Sequence, residues 1–536
     1  MKIKRYQRLL LSVFSGILLS FAWTDWDLGI VLLFAFVPLL LVEDYFYENR
    51  EKYRSIQSFF YSYITFFVWN LISTWWIYYA TLFGVIMAVI FNALFMSIVF
   101  WAFHATRRKL GNQMGYFALI VFWISFELIH LNWDLTWTWL NLGNGFANNI
   151  SLIQWYEYTG TLGGTFWILL VNILLISIFK NYFFKKGLLK LKSNLLILFF
   201  VLAVPITLSL IIFNTYNEKS NPSNIVIIQP NIDPFHDKFD GMDEKDQLDV
   251  LLYLADSLTD ENTNFVIGPE TALPNGVWEN EIESYYNIET AKQFVEKYPN
   301  VRFILGVSSY RMYEKGEKLS PTARQFSDSE DYYESYNTSI QIEKDREIQI
   351  YHKSKLVVGV EKMPFPKFFK LFEGLAVELG GSSGSLGTQE EREVFASSKD
   401  SIKVAATICY ESIFGEFMGE FILNGADFIF VITNDGWWRD TPGYKQHLSF
   451  SSLRAIETRR SIARSGNTGI SCFINQKGEI LQATNWWVKT AIKGQINAND
   501  KITFYVKSGD YIGRISYFFS IIIILYFIVR VIIRKK

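Results

Sequence analysis

The sequence predicts an α/β domain inserted before the last helix of a membrane-spanning bundle of about eight helices. Two observations carry this. Half of the 536 residues are hydrophobic, and the apolar excess sits in residues 1–213, with one further run at the C-terminus. From Asn224 onward the pattern changes to short β-rich runs alternating with amphipathic stretches, the signature of an α/β layer architecture. The chain therefore divides into a membrane part (1–213), an inserted domain (214–510) and a last span with a basic tail (511–536).

Membrane-length apolar runs of about 17–25 residues are expected near Leu9 to Trp23, Leu28 to Val42, Phe59 to Ala80, Leu82 to Phe103, Gly115 to Leu131, Leu162 to Phe179, Leu195 to Phe213 and Ile515 to Ile533. The first two are short. Basic residues stay on the cytoplasmic side of a membrane. Lys2, Lys4, Arg5 and Arg8 precede the first span; Arg50, Lys52 and Arg54 follow the second; Arg107, Arg108 and Lys109 follow the fourth; and Lys180, Lys185, Lys186, Lys190 and Lys192 follow the sixth. The intervening turns and the loop from Asn132 to Gly160 lack lysine and arginine. Seven spans from a cytoplasmic start leave Asn214 outside, and Arg530, Arg534, Lys535 and Lys536 mark the return. Residues 214–510 are thus expected outside the cytoplasm. Ser20-Phe21-Ala22 resembles a signal-peptidase site, but an uncleaved anchor is the expectation, and either choice leaves the topology unchanged.

Within the fifth span, Glu127 and His130 read as a proton relay or, preferred here, as groups that satisfy one another or edge a cavity. The tryptophans of the outer loop (Trp133, Trp137, Trp139, Trp155) suit interfacial anchoring.

In the inserted domain, Ile225 to Ile228, Phe265 to Ile267, Phe303 to Val307, Thr338 to Ile342, Val404 to Ile408 and Phe428 to Ile432 read as strands. Glu244 to Leu258, Ile282 to Tyr298 and Ser451 to Arg464 read as helices, the last on its mixed charge. One strand delivers Cys409 at its end. A strand-end thiol can sit at the carboxyl edge of a sheet as a nucleophile, and a lone cysteine is equally at home in a core. Glu270 ends another run, as a general base or an ordinary capping carboxylate, and Lys353 follows a third, where its ammonium can face an oxyanion. Lys355 reads as a solvated neighbour and Cys472 as core.

A formal net charge of −1 gives no basic patch for nucleic acid. The two cysteines are read as free thiols, because a disulfide would consume Cys409. The five histidines (His104, His130, His236, His352, His447) are scattered, and no phosphate-cradling glycine loop appears, so neither a metal nor a cofactor is expected.

Gly268-Pro269-Glu270-Thr271, Tyr336-Asn337-Thr338, Tyr351 to Pro364, Cys409-Tyr410-Glu411, Thr433-Asn434-Asp435-Gly436-Trp437-Trp438, and Arg454 to Glu457 with Arg464 to Gly469 together resemble the nitrilase superfamily of carbon-nitrogen hydrolases. Within it, the membrane segments make the apolipoprotein N-acyltransferases the nearest likeness. The resemblance implies a four-layer αββα sandwich and a Glu270-Lys353-Cys409 triad. It gives supporting roles to Glu361, which orients the lysine or stabilises the tetrahedral intermediate, and to Tyr410 and Glu411 near the scissile carbonyl. Trp437 reads as acyl-pocket lining or as packing. The implied reaction moves a fatty acyl chain from a phospholipid, through a cysteine thioester, to the N-terminal amine of a diacylglyceryl apolipoprotein. It would occur at the bacterial inner membrane, with the catalytic domain periplasmic. A membrane-tethered amidase or nitrilase, with water as acceptor, is the alternative.

Overall fold

The computed structural model describes residues 3–183, 188–362 and 385–533. Lys2, Lys185, Lys186, Pro364 and the tail from Arg534 lie outside them. The chain forms two compact units, Met1–Tyr216 with Ser508–Lys536, and Asn217–Lys507.

The first unit is helical: α1 (Arg5–Ser20), α2 (Leu32–Ala35), α3 (Val37–Glu48), α4 (Ile56–Thr74), α5 (Leu82–Leu110), α6 (Asn112–Asn132), α7 (Tyr156–Phe183), α8 (Leu188–Thr215) and the C-terminal helix Tyr511–Ile533. Among the described residues, seven helices are long and apolar enough to cross a membrane, α2 and α3 together making one of them. The remaining expected span is α4. Its 19 residues extend about 28 Å, but Ser58, Ser62, Thr65, Asn70, Ser73 and Thr74 lower its apolarity. Those residues are buried, and α4 packs against α1 and α5. A polar group facing lipid has no water to bond, so such residues turn inward and bond across helices. Thr65 Oγ1 donates to Ser12 O at 2.8 Å, Asn172 Nδ2 donates to Leu32 O at 2.8 Å, and the Ser125 and Ser520 hydroxyls meet at 2.9 Å. Buried Glu43 and Asp44 on α3 are held by Arg107 of α5, with His104 Nδ1 2.6 Å from Glu43 and Lys180 of α7 on Asp44.

Glu127 and His130 do not satisfy one another. Glu127 accepts from Trp123 Nε1, the Leu142 amide and Thr165 Oγ1 (3.1, 2.8 and 2.6 Å), whereas His130 contacts Asn92 Oδ1 and Trp133 Nε1 (3.2 and 2.7 Å). The carboxylate thereby ties the tryptophan-rich loop to α6 and α7.

Among the described residues the second unit contains thirteen strands: β1 (Pro222–Gln229), β2 (Phe265–Ile267), β3 (Leu273–Trp278), β4 (Arg302–Met312), β5 (Arg324–Gln325), β6 (Tyr332–Glu343), β7 (Gln349–His352), β8 (Val404–Ile408), β9 (Phe428–Thr433), β10 (Ser461–Gly466), β11 (Cys472–Ile474), β12 (Ile480–Ala483) and β13 (Thr490–Asn497). One sheet runs β13-β1-β2-β4-β6-β5, with β3 on β4 and β7 on β6; the other runs β12-β11-β10-β9-β8. The sheets face each other, with the Phe265 ring against Phe428 and Phe430, and Ser339 Oγ donating to Ala406 O at 2.9 Å. Helices α9 (Glu244–Leu258) and α10 (Tyr286–Lys297) cover the larger sheet. Helices α11 (Gly415–Leu423) and α12 (Pro442–Thr458) flank the smaller one, completing an αββα sandwich.

Two expected helices are corrected. Ile282 to Tyr298 splits at Tyr285, whose extended backbone separates the 3-10 turn Glu279–Ser284 from α10. Ser451 to Arg464 ends as a helix at Thr458, because Arg459 adopts a left-handed φ of 52° and the chain re-enters as β10. The charges of this stretch are buried. Arg459 Nη1 donates to Gln476 O at 3.0 Å, Arg460 Nε donates to Ala426 O at 2.7 Å, and Arg454 pairs with Glu457 at 2.9 Å.

Candidate active site

Three strand ends meet between the sheets. Glu270 follows β2 by three residues, Lys353 follows β7 directly, and Cys409 follows β8 directly. Parallel pairing of β2 with β1 and β4, and of β8 with β9, sends these ends in a common direction within each sheet. Cys409 has φ 52°, a left-handed conformation that costs a β-substituted residue about 1–2 kcal/mol and turns the chain abruptly into the 3-10 turn Cys409–Ile413. Strain of this kind at a thiol presented by a strand is characteristic of functional sites.

Lys353 Nζ bridges two carboxylates, 3.0 Å from Glu270 Oε1 and 2.7 Å from Glu361 Oε1. Asn337 Nδ2 donates to the same two oxygens at 2.8 and 3.0 Å, and Lys353 N donates to Asn337 O at 2.8 Å. Glu270 Oε2 accepts from the Asn434 amide at 3.1 Å, and Glu361 Oε2 from the Val357 amide at 2.9 Å. Glu270, Lys353 and Asn337 are almost wholly buried.

Burial alone raises a carboxyl pKa. At Glu270 the Lys353 ammonium, the Asn337 amide and Lys238 outweigh it and hold the group below its ordinary value. Burial opposes charge on Lys353, but Glu270 and Glu361 overcome this and hold its pKa well above normal. Burial and the Glu270 charge push the Cys409 thiol up, partly offset by Lys353. Burial and the Glu270 charge thus both favour the protonated thiol.

Glu411, two residues after the thiol, makes three hydrogen bonds to protein groups. Its Oε1 accepts from Tyr351 OH and the Ser354 amide at 2.7 Å each, and its Oε2 from the Ile408 amide at 2.8 Å. This carboxylate clamps the Cys409 turn to the segment carrying Lys353. Tyr410 is buried, its ring edge-on to Phe414 at 5.2 Å. Lys355 points elsewhere, its amine 5.0 Å from the Phe414 ring centre and 5.7 Å from that of Phe417. Trp437 is part-exposed in an aromatic group, its ring 5.3 Å from Phe235 and stacked on Phe239 at 6.1 Å. Cys472 is buried.

Sequence reasoning missed two components. One is Lys238, from the loop after β1, whose buried amine donates to Glu270 O at 2.8 Å; no periodicity or strand end announces it. The other is Asp435-His447-Arg464. His447 Nδ1 lies 2.9 Å from Asp435 Oδ1, and its Nε2 lies 3.2 Å from both Cys409 O and Ser412 Oγ. The histidines looked scattered because this one approaches the thiol only through the fold. Cys409, Asp435 and His447 present metal-ligating atoms within 4.8 Å of one another. Arg464 already bonds Asp435 in that cluster, and with His447 it drives the Asp435 pKa down to about 2 against the opposing effect of burial.

Comparison with known proteins gives the family. Residues 226–502 match the carbon-nitrogen hydrolase family, and residues 15–174 match the apolipoprotein N-acyltransferase N-terminal domain. The chain is 28% identical to the apolipoprotein N-acyltransferase of Chlorobaculum tepidum (94% of this chain, 93% of the relative) and 25% identical to that of Thermotoga maritima (96% and 92%). The solved structure of Saccharomyces cerevisiae Nit3, a nitrilase-superfamily member, aligns with 53% of this chain and 93% of its own at 13% identity and a TM-score of 0.36. With its seven long apolar helices and its αββα unit, the chain belongs to the carbon-nitrogen hydrolase family and, within it, to the apolipoprotein N-acyltransferases.

Proposed function

We propose that Glu270, Lys353 and Cys409 carry out a two-step acyl transfer from a phospholipid to the N-terminal amine of a diacylglyceryl-cysteine on an apolipoprotein. The observation that carries this reading is the convergence of the three side chains, from three strand ends, in a chain with membrane-length helices. In the first step Glu270 takes the Cys409 proton and sulfur attacks the ester carbonyl. Lys353 stabilises the resulting oxyanion, and Glu270 returns the proton to the departing lyso-lipid oxygen. In the second, the acceptor amine attacks the thioester, loses its proton to Glu270 and expels the sulfur, which recovers that proton. Glu361 keeps Lys353 oriented. Trp437 with Phe235 and Phe239 supplies apolar lining for the acyl chain.

The alternation of basic loops supports a periplasmic catalytic domain at the inner membrane. It requires α4 to count as a span, which its length allows. A tethered hydrolase needs one span, and the seven apolar helices do not favour it. The test is the mass of purified protein mixed with phospholipid and no acceptor. A fatty-acyl adduct on the Cys409 peptide, released by neutral hydroxylamine, is expected; its absence, or an adduct elsewhere, sinks the proposal.

A further inference from the structure

Lys238 is a second buried cation that the three-residue chemistry does not use. The loop holds it firmly, with its amide donating to Asp233 O at 2.9 Å and its carbonyl accepting from Gln247 Nε2 of α9 at 2.8 Å. Its Nζ hydrogen-bonds the backbone oxygen of Glu270, not the carboxylate, which leaves that carboxylate to Lys353 and Asn337. The charged or titratable groups acting on the amine are Glu270 after β2 and Cys409 after β8, while Gln247 on α9 is uncharged.

The charge balance gives this placement a consequence. Glu270 and Glu361 as carboxylates with Lys353 as ammonium leave one net negative charge around a neutral thiol. Moving the thiol proton onto Glu270 relocates that negative charge to sulfur without removing it. An additional ammonium makes these four side chains and the thiol neutral together throughout the transfer, and in a buried site uncompensated charge is strongly disfavoured.

We propose that Lys238 is a positioning and charge-compensating residue for nucleophile activation. It pins the Glu270 backbone and stabilises the Cys409 thiolate through its field. This role rests on Cys409 being the nucleophile. Burial lowers the Lys238 pKa, opposed by Glu270 and Cys409, to about 8. The compensation is therefore present below pH 8 and fades as the pH rises through that value.

The experiment measures alkylation of Cys409 by iodoacetamide against pH in the detergent-solubilised full chain, quantified on the Cys409 peptide. The wild type, Lys238→Met, Lys238→Arg and Gln247→Ala are compared; Gln247→Ala loosens the loop without touching its charge. Lys238→Met is expected to alkylate about tenfold more slowly at pH 7, the equivalent of one pKa unit, with the deficit shrinking above pH 8. Lys238→Arg should recover part of the rate, and Gln247→Ala should keep the wild-type profile. A Lys238→Met profile that superposes on the wild type overturns the proposal, as does a deficit of equal size at every pH or one reproduced by Gln247→Ala. A wild type that never forms a Cys409 acyl adduct, although alkylation profiles differ, removes the nucleophile reading itself and this role with it.

Discussion

Cys409 pairs a strained backbone with a thiol whose pKa burial raises, so under the proposed mechanism its reactivity depends on Glu270 as base. Glu270→Gln leaves Asn337 and Lys353 a neutral partner of the same shape but removes the proposed proton acceptor. Acyl-enzyme formation should fall about 10²–10⁴-fold, read as single-turnover adduct mass. Cys409→Ala and Cys409→Ser should give no thioester, the hydroxyl being a weaker nucleophile beside a base matched to a thiol. Because Lys353 helps hold Glu270 below its ordinary value of 4.5, the base stays ionised as pH falls, and the acid limb of the acylation profile should lie below that value. In Lys353→Met the limb should move to higher pH. A limb that stays in place would mean that the ammonium does not tune the carboxylate.

At the scale of elements, the site depends on how closely strand ends approach. Gly306 on β4 lies under Glu270: a Cβ there would stand 2.4 Å from Thr271 N and 2.7 Å from Glu270 Cα. Gly306→Ala must displace the segment carrying the base. A shift of about 1 Å can cost 10²-fold in rate, so a comparable loss of acylation is expected, with the Cys409 thiol still alkylated by iodoacetamide. Behind the thiol, Arg464 of β10 compensates Asp435 after β9 in a fully buried setting. Arg464→Met removes one partner of a buried pair, a change worth about 3–5 kcal/mol, and should lower the thermal midpoint in detergent. The sign of its pH dependence follows from the depressed Asp435 pKa. The wild-type stabilisation is present above the ordinary carboxylate value of 3.8 and is lost as pH falls toward 2, so the gap between wild type and variant should close in acid.

For the whole molecule, a thioester separates donor and acceptor steps, so initial rates with both substrates varied should give parallel lines. Free fatty acid released equally with and without a diacylglyceryl peptide would make the chain a hydrolase. Orientation has its own measurement: a cysteine placed between Gly241 and Asp246 should react with an impermeant maleimide in intact spheroplasts. Labelling only after lysis would place the domain on the cytoplasmic side and overturn the proposed topology.

Apolar run length and the period of the hydrophobic pattern are local properties, so the sequence alone determined the helical membrane unit, the strands β1, β2, β4, β6, β8 and β9 and the helix α9 of the inserted domain, and the strand ends at Cys409 and Lys353, whereas the shorter strands carry too little pattern to be read. Recurrent motifs, not periodicity, singled out Glu270, Lys353 and Cys409 from other strand-end residues. Only the tertiary structure decided that Ser451 to Arg464 breaks into helix and strand, because its charges are matched by carbonyls and carboxylates distant in sequence. It also decided that Glu411 braces the turn, that Glu127 holds a loop rather than His130, and that Lys238 and His447 lie beside the thiol's surroundings. Each of those placements depends on which buried polar groups need a partner. That requirement is settled by packing across the fold, and no window of sequence contains it.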